Sequence, residues 1–175
     1  MVLFRKRKSI PDFAGELILL HAKRFGYDAL VSYVKQLRIA VTDQQLSNAL
    51  AEWMLFGTYV VRQGVKAKCR ENAAMSDAII NSFIGQFCTG LEHAGAPSSE
   101  LSRLQHCIVA RFQEYDRVQL ESHGNPIYAL GIRVSGLMFG HESPEAYAFA
   151  IAAGPQFMDS IAAITRVFGE FKVVN

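Results

Sequence analysis

Apolar residues recur at steps of three and four along almost the whole chain, and Ser, Thr, Asn, Gly and Pro interrupt that rhythm at intervals. The spacing predicts helices, because such steps return side chains to one face of a 3.6-residue turn. Ser9, Pro11 and Asp12 start the first, with Phe13, Leu17 and Leu20 on one face, and Gly26 ends it. A second, from about Asp28, carries Leu30, Val34, Leu37 and Val41. Thr42 and Gln45 frame a capping box that opens a third, whose stripe is Leu46, Leu50, Trp53, Gly57, Val60 and Gly64. Two glycines in that stripe predict close helix approach, since each costs roughly 1 kcal/mol of helix propensity relative to alanine.

After a break between residues 64 and 72, Met75, Ile79, Phe83, Phe87 and Leu91 form a fourth apolar face, closed by Gly95 and Pro97. Ser98 and Ser99 begin a fifth helix with Leu101, Leu104, Ile108, Phe112 and Tyr115 inward. Asn125 and Pro126 start a sixth that is apolar almost all round over 127–139, which predicts a central, buried helix. Ser143, Pro144 and Glu145 repeat the start signal, and Gly154-Pro155 predicts a kink or split in the last helix. Strand character is faint, at residues 59–61 and 171–174. The pattern therefore predicts a single all-α domain over 9–175, an irregular bundle of about seven helices. Residues 1–8 are expected to be a flexible basic segment.

Charge changes the picture. Residues 1–70 hold twelve Lys and Arg against five Asp and Glu, and the remainder holds six against eleven, so the formal net of +2 hides a dipole. The basic candidates for a partner or anion surface are Arg5, Lys6, Arg7, Lys8, Lys23, Arg24, Lys35 and Arg38. Apolar residues make up 50% of the chain, more than one core of this size needs, which predicts an interface. Trp53, Gly57 and Gly64 are the candidate residues for self-association.

Candidate chemistry is sparse. Cys69, Cys88 and Cys107 are an odd number with no CxxC, which argues against a disulfide framework and points to a reducing, cytoplasmic setting. His21, His93, His106, His123 and His141 show no HxxxH or comparable ligand spacing, so neither metal nor cofactor is expected. Ser135 lies mid-helix rather than on a GxSxG elbow, and Glu114 and Asp116 point about 200° apart on a helix, so no catalytic constellation is found. Gln44, Gln45, Ser47 and Asn48 suggest a helix-turn-helix reading surface, but no Arg or Lys lies within 43–56 to hold phosphates. Arg133 is the single charge between Pro126 and Gly140, and Asp159 stands alone over 146–165; the expectation is a buried Arg133–Asp159 pair or an anion pocket.

These residues predict a small non-enzymatic protein that acts by protein–protein contact, as adaptor, regulator or chaperone-like module, self-associating and engaging an acidic partner through its basic half. The alternatives are binding to nucleic acid or an anionic membrane surface through that half, and binding of a small apolar ligand between helices. No stretch is long and apolar enough to predict a transmembrane segment.

Overall fold

Capping chemistry sets where the helices start. In the computed structural model, which describes residues 5–140 and 143–174, α1 (Ile10–Phe25) follows Ser9, whose Oγ accepts the Asp12 amide. Helix α2 (Tyr27–Gln36) follows through Gly26. Helix α3 (Asp43–Lys68) opens on a complete capping box: the Gln45 amide donates to Thr42 Oγ1 at 3.2 Å, and the Thr42 amide donates to Gln45 Oε1 at 2.9 Å. Asn72, Asn125 and Ser143 cap α4 (Ala73–His93), α6 (Pro126–Phe139) and α7 (Pro144–Glu170), while α5 (Ser98–Glu121) follows Pro97 without a side-chain cap. These side chains take up amides that no helix carbonyl reaches.

Helix α7 runs unbroken through Pro155, so of the expected kink or split the split does not occur. The proline forfeits a bond to the Ile151 carbonyl, and Ile151 stands on the solvent side. Beyond the helices, β1 (Lys6–Ser9) pairs in parallel with β2 (Phe171–Val174), Lys6 opposite Phe171 and Ser9 opposite Val174. From Lys6 onward the segment expected to be flexible is therefore a strand. Residues 59–61, the other faint strand signal, lie inside α3, where packing overrides their β-propensity.

The centre of the molecule is α3, not α6. Helix α3 packs against α1, α2, α4, α5, α6 and α7, and each of its residues from 55 to 61 is buried. Helix α6 lies outside it with Tyr128 and Ile132 open to solvent. The glycines explain the choice. A Cβ on Gly57 would stand 2.7 Å from His21 Nε2 of α1, and one on Gly64 would stand 2.8 Å from Ile164 Cδ1 of α7, so α3 admits neighbours closely on two sides. Trp53 is fully buried, its ring 5.0 Å from Phe25 and 5.4 Å from Phe149. Trp53, Gly57 and Gly64, expected at an oligomer interface, are instead held in the chain's own core. The close approach predicted from the glycines is intramolecular.

Candidate anion-binding site

Helix α3 ends in Lys66, Ala67 and Lys68, cations suited to the negative end of a helix dipole. Cys69 closes it, and a short turn through Arg70 and Glu71 leads to the Asn72 cap of α4. Strand β2 brings Lys172 past this corner, and its pairing with β1 brings Arg5. The result is an open cleft of about 550 Å³ walled by Arg5, Lys68, Arg70 and Lys172, with Phe168 and Phe171 supplying apolar surface. Glu71 is its one carboxylate among the lining residues. Among the described residues none of the four cations forms an ion pair. The first turn of α4 carries no acid, which leaves Glu71 as the one carboxylate set against them among the lining residues. Burial pushes the Cys69 thiol up, away from a nucleophilic thiolate.

Of the eight cations expected to form one basic surface, only Arg5 lines this cleft. Arg7 and Lys8 flank a different hollow beside Asp12 and Glu16, and Lys8 pairs with Glu16 while lying 4.6 Å over the Phe171 ring. Lys6 is exposed on β1. Lys23 and Arg24 lie at the far end of α1, about 20 Å along the helix from its start, where Arg24 donates to Ser160 Oγ at 3.4 Å. Lys35 and Arg38 close α2: Arg38 has φ 54°, and the Ile39 amide donates to the Val34 carbonyl at 3.1 Å, a Schellman ending with arginine where glycine is usual. The basic half is thus divided among separate places. Sequence reasoning missed Lys68, Arg70 and Lys172; the faint strand at 171–174 was the one signal that could have drawn Lys172 toward the N-terminal cations.

Arg133 meets Glu114 of α5 rather than Asp159. Glu114 also takes Arg111 at 2.7 Å, and Arg111 Nε donates to both oxygens of buried Glu52 at 2.9 Å. Charges of alternating sign therefore run from α3 through α5 to α6. Burial works against the Glu114 charge, but Arg133 and Arg111 overcome it and hold the carboxyl below its ordinary value. The Tyr115 hydroxyl donates to Glu52. Asp116, on the opposite side of α5 as the helix period requires, accepts from Arg62 Nη1 and Nη2 at 2.9 Å and from the Tyr59 hydroxyl at 3.0 Å. Burial opposes its charge too, and the Arg62 and Tyr59 bonds keep its pKa low. Asp159 is exposed on α7, where its charge adds to burial in pushing Tyr33 up to about 12.

His21 is buried between aromatic rings; His93, His106 and His123 are exposed, and His141 lies outside the described residues. Among the described residues no three of His, Cys, Asp and Glu converge as a metal site, and no helix is long and apolar enough to cross a membrane. A second hollow, of about 380 Å³, opens between α3, α4 and α5 and is lined by Leu50, Met54, Phe87, Leu91, Leu101 and Leu104 among others.

Fold and site together define an all-α bundle with a cationic cleft at the corner where β2 passes the turn between α3 and α4. Compared with known protein families, curated proteins and solved structures, the chain matches none.

Proposed function

We propose that this protein is a non-enzymatic binding module whose cleft receives clustered carboxylates of an acidic protein segment. The observation that carries this reading is the set Arg5, Lys68, Arg70 and Lys172, brought to one cleft without an ion pair among the described residues. Four like charges set against the single carboxylate of Glu71 leave a net positive potential that an anionic ligand relieves. The apolar side chains of Phe168 and Phe171 favour a peptide, which offers side chains to cover, over a bare phosphate backbone.

An oligo-glutamate peptide titrated at 20 mM and 300 mM salt tests it. Binding should weaken steeply with salt, and reversing Lys68, Arg70 and Lys172 to glutamate should remove it, whereas reversing Lys23 and Lys35 should not. Salt-independent binding, or equal loss from both sets, defeats the reading. Tighter binding to single-stranded DNA or to anionic vesicles would replace the acidic protein with that partner. The hollow between α3, α4 and α5 favours a second reading, a small apolar ligand, which a solvatochromic dye displaced from wild type but not from Leu104→Trp would support.

A further inference from the structure

Helices α6 and α7 form an antiparallel hairpin with an unusually close seam. A Cβ on Gly131 would stand 2.7 Å from the Ala150 carbonyl, so these two residues mark where the helices face each other. At 100° per residue, one step past the seam on each of two antiparallel helices turns toward the same side of the hairpin. Ile132 and Ile151 occupy those positions. Tyr128 and Tyr147, each three residues before the seam, fall on that side as well, and so does Met158, eight residues beyond it.

Exposure agrees with the geometry. Tyr128 is 42% exposed, Ile132 40%, Tyr147 52%, Ile151 68% and Met158 51%. The opposite side of the hairpin is closed by α3, against which Leu130, Val134, Phe149 and Ala153 are buried. One side of the hairpin is thus core and the other is an uncovered apolar face. Arg133, the one charge of α6, points away to Glu114.

We propose that this face is the surface on which a second copy of the chain docks, hairpin against hairpin about a two-fold axis. Two properties favour a copy over other occupants. The first is charge: an isologous contact sets each patch against itself, and a patch without charge does so with no like-charge conflict. The nearest charges along α7, Glu145 and Asp159, are acidic, the wrong sign for a lipid headgroup layer. The second is size. With side chains of this kind the five residues leave roughly 500 Å² open, near the top of the range for patches on monomers. Adding a rim brings it to the roughly 800 Å² per partner that a stable dimer buries. The face is distinct from the cationic cleft, so either proposal can fail without the other.

Sedimentation velocity on the full chain from 1 to 100 µM is the test. The expected result is a species of twice 19.4 kDa that the double variant Ile132→Asp/Ile151→Asp converts to monomer. The dissociation constant should rise about 100-fold or more, because a two-fold interface counts each substitution twice. Both residues are exposed in the monomer, so circular dichroism and melting of the monomer should be unchanged. If the double variant misfolds, Met158→Lys alone replaces it, with the same expected dissociation. Leu120→Asp, the same apolar-to-acidic change at an 83% exposed site on α5, should leave the dimer intact. A wild-type monomer at 100 µM overturns the proposal. So does a dimer that survives the hairpin variants or falls apart with Leu120→Asp.

Discussion

Lowering the pH from 7.5 to 4.5 should remove about 2.5 kcal/mol of stability through one side chain, His21. It is 2% exposed on α1, with the rings of Phe25, Phe83 and Phe87 centred 5.6, 5.8 and 5.1 Å away. Its Nε2 lies 3.0 Å from the Met54 carbonyl, yet burial outweighs that bond and lowers the pKa from 6.5 to about 4. The sign follows from which state takes the proton. Above pH 6.5 the ring is neutral folded or unfolded, and its contribution is fully present. As the pH falls from 6.5 toward 4, the unfolded chain protonates while the folded one resists, so stability drops by about 1.4 kcal/mol per unit and levels near pH 4. Glu114 and Asp116, held low by their arginines, contribute stability that is lost as the pH falls from the ordinary carboxylate range near 4 through their lowered values, so they meet only the acid edge of this window and do so with or without His21. Urea unfolding followed by the fluorescence of Trp53, the one tryptophan and fully buried, should show the midpoint falling by about 1–2 M between pH 6.5 and 4.5. In His21→Leu the midpoint should be flat over that range. An equal pH slope in the variant would refute the reasoning, because His21 is the one group that differs between the two proteins.

Arg38→Gly should raise stability by about 0.5–1 kcal/mol, a melting shift of roughly 2–4 °C, because glycine adopts φ 54° without the strain that a Cβ brings; an unchanged or lower melting point contradicts it. Glu114→Gln should destabilise by about 1–3 kcal/mol in denaturant titration, since it leaves both Arg111 and Arg133 facing an uncharged group, whereas Asp159→Asn, at an exposed site, should be silent. Equal effects of the two changes would show that the charge ladder is not what joins α5 to α6.

Helix starts were legible because their chemistry is local. Ser9, Thr42, Asn125 and Ser143 each bond an amide two or three residues on, and their spacing is visible in the sequence. What sequence reasoning misplaced were choices between distant partners. An apolar helix such as α6 can lie at the centre or present a face, and only the glycines of α3, set against residues of α1 and α7, decide it. Arg133 could be seen to need a carboxylate or another anion, but periodicity says nothing about which helix crosses beside it. Strand β1 was hidden because Lys6, Arg7 and Lys8 lack the alternation of apolar and polar residues that reveals a half-buried strand. The cleft was illegible for the same reason, being assembled from residues 5, 68, 70 and 172.

The parallel ribbon of β1 and β2 imposes an order of events on a growing chain. Lys6 cannot find Phe171 until everything between them has been synthesised, and closing so long a loop is the slowest kind of contact a chain makes. Helices α1 to α6 can collapse on one another earlier, through neighbours nearer in sequence. Arg5 and Lys172 therefore come together last, and a nascent or prematurely ended chain would carry the bundle without the finished cleft. On the proposed reading, the cleft is complete only once β2 has been made and has paired with β1.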